Sequence, residues 1–451
     1  MSTVIGIVGL VLAIAVLVIG AYKGVGALPL TLVAAFVAIV ANAASIAELF
    51  SGDYIWTGFS GQYMKGYSNA YLSYFLLFAC SSLYAKLMND SGSATAIGYR
   101  LIDWFGRTRV ILVTLLITAV LTYGGVSLFV VVYAVAPIAF LLFREANIPR
   151  HLTMGCVIGG SATFTMTCMP GSPQLTNVVP TTFLGTTLIA APVLSVICSI
   201  GVFAAVLAYL MREQKVAVIK GESWSYPDGK TAADYGVMEQ SKLPQAWKAF
   251  SPIIVLAAII ILGSRMGINS SKLSVFAMLC GALLCYILNF DRFKDADMKT
   301  IVGIGLDGGI AGIGGLAAVL AFGAVVQATP SFARIVEWVL SIDMHPYVRG
   351  IFATSVFSGI TGSSSGGLRI TLEALADNFL ASGANMQTLH RLMAIAAGGL
   401  DTLPHSPGLF LMMSVLGLNH KNSYKHVFVI SVVIPVITVI IATTVCIFMG
   451  V

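Results

Sequence analysis

Charge is what this sequence has least of. Only 10% of its 451 residues are Asp, Glu, Lys or Arg, where a soluble domain carries roughly a quarter. With 58% hydrophobic residues and a mean hydropathy of +0.92, this excludes a water-soluble globule and implies an all-α polytopic membrane protein. Short alternating segments are also missing. The apolar runs are long, which excludes a transmembrane barrel. No basic stretch or clear cleavage site accompanies the first apolar run, Val4 to Ala21, so a retained helix is expected there rather than a signal peptide. The seven cysteines (Cys80, Cys156, Cys168, Cys198, Cys280, Cys285, Cys446) lie in apolar segments without metal-ligand spacing. They read as small core residues. The net charge of +6 fits the basic excess of cytoplasmic loops and gives no reason to expect a nucleic-acid partner.

A membrane-crossing helix needs roughly 20 apolar residues. Val4 to Ala21, Ala27 to Leu49 and Ala70 to Met88 meet that. Ser51 to Asn69 reads as a polar loop, and Asn89-Asp90-Ser91-Gly92 as a stop signal. An amphipathic basic segment with Arg100, Arg107 and Arg109 follows. Val110 to Phe143 is too long for one span and too short for two with a loop. Its middle is Thr122-Tyr123-Gly124-Gly125-Val126-Ser127, with arginines beyond both ends, a pattern that predicts a re-entrant helical hairpin. Leu152 to Leu184 reads as a span broken at Pro170 to Pro173, and Leu188 to Met211 as another span.

Arg212 to Lys248 is the one long polar stretch, with Glu222, Pro227, Asp228, Gly229 and Asp234. Beyond it the plan repeats. Pro252 to Leu262, Leu273 to Phe290 and Gly-rich Ile301 to Val326 (with Asp307) are apolar, and an amphipathic piece lies near Phe332 to Leu340. Tyr347 to Leu380 carries Thr361-Gly362-Ser363-Ser364-Ser365-Gly366-Gly367 in its middle. Leu389 to Leu416 is broken, and Val427 to Met449 closes the chain. Thr122 recurs as Thr361, and Gly159-Gly160 as Gly398-Gly399, at one offset (361 − 122 = 239; 398 − 159 = 239). Pro170 and Pro173 recur as Pro404 and Pro407 at a nearby one (404 − 170 = 234).

The expected organisation is therefore 1–211, a first inverted repeat (hairpin about 110–143, broken helix about 152–184); 212–248, a cytoplasmic linker; and 249–451, a second inverted repeat (hairpin about 347–380, broken helix about 389–416). Each repeat has five spans, one of them broken, and one hairpin. Lysine and arginine place the linker, Lys86, Arg144, Arg150, Lys421 and Lys425 inside, and leave Lys65, Arg265, Lys272, Arg334, Arg349 and Arg391 outside. Inverted repeats with broken helices are the plan of secondary transporters, whose site lies where the breaks meet.

Prolines break the backbone ladder, and the freed groups must be buried in protein or line a watery cavity. Half-helix N-termini favour anions, and Gly and Ser at hairpin tips allow close backbone approach. The expected polar cup is Tyr123, Gly124, Gly125 and Ser127 with Thr361, Gly362, Ser363, Ser364 and Ser365, closed by Ser172, Gln174, Thr176 and Asn177 from one break and Thr402, His405 and Ser406 from the other. It suits a carboxylate bearing hydroxyls. The bland reading is that these small residues merely let helices pack closely. Asp401, His405 and Glu373 are the proton-carrier candidates. For Asp401 and His405 the competing role is a structural pair. For Glu373 it is a buried ion pair with Arg369, four residues earlier. His151, His390, His420 and His426 read as ordinary residues near span ends.

The run Leu121 to Val130 resembles the gluconate permease family, as do Lys86 to Gly92, Met169 to Asn177, Thr361 to Leu372, Gly398 to His405 and Asn419 to Lys425. The resemblance implies proton-coupled symport of a gluconate-like sugar acid or a short hydroxy acid such as 3-hydroxybutyrate across the bacterial inner membrane. It also implies a homodimer of the wider ion transporter superfamily working by an elevator mechanism. Beyond the carboxylate substrate, the bilayer and a second copy, no partner, cofactor or metal is implied. The Ser-Asn-Thr tip motif of sodium-coupled relatives is absent, which favours protons, with a sodium-coupled carboxylate symporter as the alternative. Arg369 departs from the family pattern and would add a cation near the substrate. A non-enzyme is implied; an intramembrane serine protease using Ser363 to Ser365 and His405 is the remote alternative.

Overall fold

The computed structural model describes residues 3–227, 243–266 and 270–450, and the regular elements among them are helices. Two series follow one another. The first is α1 (Thr3–Tyr22), α2 (Ala27–Ala41), α3 (Tyr54–Asp90), α4 (Ser93–Phe105), α5 (Val110–Tyr123), α6 (Leu128–Glu145), α7 (His151–Ser161), α8 (Leu175–Leu184) and α9 (Pro192–Ile219). The second is α10 (Ala246–Arg265), α11 (Ser270–Leu288), α12 (Met298–Gln327), α13 (Pro330–Ser341), α14 (Pro346–Thr361), α15 (Ser364–Ala381), α16 (Met386–Leu400), α17 (Pro407–Leu416) and α18 (His420–Met449). The character of the elements recurs in order: a long third helix, a short amphipathic fourth, two hairpin arms, two short helices around a break, and a long last helix. A one-turn helix precedes the third member each time, Ile46–Leu49 and Phe290–Phe293. Seven of the described helices are long and apolar enough to cross a membrane.

Small residues set the closest approaches. A methyl group at Gly309 of α12 would lie 2.6 Å from Ala79 Cα of α3, and one at Gly66 of α3 would lie 2.9 Å from Ala321 Cα of α12. Close backbone approach through such residues is what packs helices where lipid removes the hydrophobic drive. The hairpin arms pack crosswise between the two series: α15 against α8, and α6 against α17.

Three expectations need correction. Ser51 to Asn69 is not a loop: α3 begins at Tyr54 and passes through a π-helical segment, Thr57–Tyr63. Aromatic residues at four-residue spacing hold it, with ring centroids of Tyr63 and Tyr67 6.4 Å apart, Tyr67 and Tyr71 5.3 Å, and Tyr71 and Phe75 6.4 Å. The second correction concerns the linker, whose ends are helical because α9 runs on to Ile219 and α10 starts at Ala246. An ion pair between Glu213 of α9 and Lys425 of α18, 2.8 Å, fixes that extension. Asp228, Gly229 and Asp234 lie outside the described residues. Third, the first break starts earlier than Pro170: α7 ends at Ser161, a π-helical turn spans Phe164–Cys168, and α8 resumes at Leu175.

The turns between α5 and α6 and between α14 and α15 both need glycine. Gly125 has φ +98° and Gly362 φ +62°, backbone that side chains with a Cβ rarely adopt. Gln174 pins the first turn, its Nε2 donating to Thr122 O (2.8 Å) and Val126 O (3.1 Å).

Candidate functional site

Breaking a helix frees backbone carbonyls that a bilayer cannot satisfy, and here side chains take them up. In the first break Arg391 Nη1 donates to Thr167 O (2.8 Å), Thr176 Oγ1 to Met166 O (2.6 Å), Tyr123 OH to Pro170 O (3.2 Å) and Asn177 Nδ2 to Ser172 O (2.8 Å). In the second, Tyr424 OH donates to Thr402 O (3.2 Å) and His420 Nε2 to Pro404 O (2.8 Å). Ser406 Oγ reaches from that break to Gly362 O at the tip of the second hairpin, 3.1 Å.

Several expected cup residues are thereby committed to the frame. Asn177 uses all four of its bonds: Nδ2 to Ser172 O and Leu188 O, Oδ1 from His390 and Arg391. Thr402 Oγ1 bonds Ser431 Oγ at 2.7 Å, and Thr361 Oγ1 donates to Phe357 O of its own helix at 2.7 Å. Ser363 caps α15 by accepting from Gly366 N–H at 3.2 Å. Tyr123 is 43% exposed, Gly124 and Ser365 are half-buried, and Gly125 is buried at the first tip.

Other groups are buried with no hydrogen-bond partner among the described residues: Ser127 Oγ and Ser172 Oγ near the first break, and Asp401 Oδ1 and both ring nitrogens of His405 at the second. Ser364 lies beside Asp401, and the backbone of Gly359 and Ile360 faces His405. An unsatisfied buried polar group costs about 1–3 kcal/mol, and three such atoms, on Asp401 and His405, gather at the second break.

Both hairpins touch this break. A methyl group at Gly362 would lie 3.1 Å from Pro407 Cδ and from Ser406 Cα, and one at Gly408 would lie 3.7 Å from Phe129 Cε1 of the first hairpin. The two breaks also meet, since a methyl at Gly398 of α16 would lie 2.6 Å from Thr167 Cγ2.

Arg369 and Glu373 stand apart. They pair at 2.6 Å with side chains 68% and 50% exposed, which corrects the buried pair expected for them. The apolar face of α15 takes Leu368, Leu372 and Leu375 inward, and this leaves the charged stripe outside.

Sequence reasoning missed His390 and Arg391, which are 0% exposed rather than loop residues. His390 Nδ1 accepts from Thr186 Oγ1 (2.7 Å), its Nε2 donates to Asn177 Oδ1 (3.0 Å), and Arg391 Nη2 donates to the same oxygen (2.9 Å). A signal was available: His390 lies at the repeat offset from His151 (390 − 151 = 239). His151 in turn stacks on His426 of α18, centroids 5.1 Å apart. His420 and His426 are likewise buried, at 4% exposure each.

Residues 7–296 match the CitMHS family, citrate transporter. YxjC, an uncharacterized transporter of Bacillus subtilis, is 31% identical over 457 residues, covering 94% of this chain and 95% of the relative. Two solved transporters are each 13% identical. MtrF of Neisseria gonorrhoeae, from a class of antimetabolite efflux pumps, aligns over 98% of this chain and 93% of its own with a TM-score of 0.40. YdaH of Alcanivorax borkumensis aligns over 98% of both chains with a TM-score of 0.41.

Proposed function

This chain is a multi-pass secondary transporter of the CitMHS family of citrate transporters, and we propose that it is a proton-coupled symporter of a small hydroxycarboxylate. That class holds citrate as well as the gluconate-like sugar acids and short hydroxy acids of the first resemblance. Its place is the bacterial inner membrane. The observation that carries the reading is the second break: a buried acid and a buried imidazole four residues apart, with Asp401 Oδ1 and both ring nitrogens of His405 unpartnered, where both hairpins converge.

The parts have distinct tasks in this reading. The glycines and serines of the tips bring backbone N–H groups and hydroxyls to the carboxylate and its neighbouring hydroxyls. Ser127, Ser172, Ser364 and Ser406 are the side chains nearest to that task. Asp401 and His405 exchange the coupling proton. Arg369 and Glu373 lie on the outer face of α15, so neither is given a part in binding or coupling. The recurrence of α1 to α9 in α10 to α18 and the crosswise packing of the hairpins support inverted repeats. An elevator movement of the hairpin-bearing helices, in a homodimer, fits that plan.

Uptake into proteoliposomes tests this directly, with citrate, gluconate, glycerate, lactate and 3-hydroxybutyrate offered under a proton gradient or a sodium gradient. Accumulation of one or more acids with protons alone is expected. Accumulation that requires sodium would overturn the coupling assignment, and indifference to all five acids would overturn the substrate class.

A further inference from the structure

A cavity of about 480 Å³ lies away from both breaks, between α3, α4, α6, α12 and α17. That volume lies within the range of small-molecule sites. No residue of either hairpin tip or either break lines it. Its surface carries two cations, Lys86 and Arg144, and no acidic residue. The carboxylates that hold these cations, Asp90 at 2.9 Å from Lys86 and Glu145 at 2.9 Å from Arg144, are not part of the lining. Both cations thus border the space while paired to carboxylates outside its lining.

A second, independent feature concerns hydrogen-bond donors. Tyr133 is 5% exposed and lines the cavity, yet its hydroxyl has no partner; the Trp224 indole N–H, also in the lining, is buried and equally unpartnered. Two cations and two unsatisfied donors around one space are the complement of a ligand that offers several oxygen acceptors and negative charge.

Trp224 and Tyr226, in the stretch that follows α9, form one side of the cavity. There the Trp224 backbone N–H donates to Asn147 Oδ1 at 3.1 Å, and its ring meets Phe140 edge-on, with centroids 5.6 Å apart. Tyr226 reaches Arg144 from the same stretch. These residues lie at the basic end of the molecule, which lysine and arginine counting puts in the cytoplasm.

We infer that this cavity is a second anion site, distinct from the transport site, which takes a small carboxylate from the cytoplasmic side beside Trp224 and Tyr226. The carboxylate oxygens sit on Lys86 and Arg144 and accept from Tyr133 OH and the Trp224 indole. The inference goes beyond the proposed function, because it is read from residues that the transport site does not use.

The test follows the intrinsic tryptophan fluorescence of the purified full-length protein in nanodiscs during titration with citrate and, separately, gluconate. A saturable change is expected in the wild type and is lost in Trp224→Phe. Lys86→Gln, which removes the charge, and Tyr133→Phe, which removes only the hydroxyl, each raise the half-saturating concentration about tenfold. His405→Ala, a lesion of the transport site, keeps the change while losing uptake. A change that persists in Trp224→Phe, or that vanishes in His405→Ala and ignores Lys86→Gln and Tyr133→Phe, would overturn the second site, as would no change with either acid. Normal fluorescence titration with no uptake in the wild type would instead overturn the proposed function and leave this site standing.

Discussion

Arg391 and Asn177, 214 positions apart, meet in the interior: Arg391 Nη2 donates to Asn177 Oδ1 at 2.9 Å. The guanidinium is fully buried, and among the described residues no carboxylate neutralises it. Its charge is held by two neutral acceptors, the Asn177 amide and the Thr167 carbonyl. It therefore joins the second series of helices to the first break of the other, where α7 gives way to α8.

Asn177→Ala removes one acceptor and leaves a buried cation half-satisfied, so a loss of about 3 kcal/mol is expected. Arg391→Met removes the charge with its desolvation cost and leaves Asn177 Oδ1 bonded to His390, so a smaller loss is expected. In the double variant the penalties are not additive, because the charge that made Asn177→Ala costly is gone. Thermal unfolding of the four proteins in one detergent checks this. Additive losses would show that the two side chains do not act together.

Gly309→Ala is expected to lower stability by about 1–3 kcal/mol, since its methyl group would meet the α3 backbone, 2.6 Å from Ala79 Cα and 2.8 Å from Phe78 C. Backbone cannot rotate away as a side chain can. Gly303→Ala, on the same helix with nothing within 4 Å, is expected to stabilise by about 0.5–1 kcal/mol through helix propensity. Opposite signs in one unfolding assay are the expected outcome.

The turns at Gly125 and Gly362 and the helix stop before Pro404 were legible because Gly, Ser and Pro clusters interrupt apolar runs there. The start of α3 was not, since Tyr63, Tyr67 and Tyr71 sit among polar residues and the partner that buries Tyr63, Thr31, bonded at 2.8 Å, is remote in sequence. Arg391 and His390 escaped for the same reason. A histidine and an arginine five residues into a helix look like a span end until a distant break is seen to need their hydrogen bonds. The Asn419-to-Lys425 motif was legible as a motif but not as a device. In space it is a capped helix start whose His420 and Tyr424 serve the carbonyls of the second break.

That device makes a prediction of its own. Tyr424→Phe removes only the hydroxyl that bonds Thr402 O and should cost about 1 kcal/mol. His420→Ala removes the donor to Pro404 O and the ring packed on Phe410, centroids 5.0 Å apart, and should cost about 3 kcal/mol. Both act on the shape of the break, so transport should fall in proportion to the loss of folded protein and recover at lower temperature. Loss of transport in fully folded Tyr424→Phe would move this tyrosine into the site itself.

Asp401 and His405 call for a different kind of test, because a structural pair and a proton carrier both fail when removed. Asp401→Asn keeps the shape of the side chain and removes its capacity to take up and release a proton. If Asp401 carries the coupling proton, proteoliposomes with this variant lose accumulation driven by a pH gradient by at least about tenfold, a loss of 1.4 kcal/mol or more of coupling. They nevertheless still exchange labelled for unlabelled substrate when both sides are at one pH, since exchange returns a loaded carrier without net proton movement. His405→Ala is expected to lose accumulation too, and His405→Gln, which keeps a hydrogen-bonding amide in place of the ring, to recover exchange but not accumulation. If Asp401→Asn loses exchange and accumulation together while remaining folded, Asp401 holds the break or the substrate, and the proton is carried elsewhere. If it keeps both, the acid plays no part in transport, and the unsatisfied Oδ1 at the convergence of the hairpins needs another explanation.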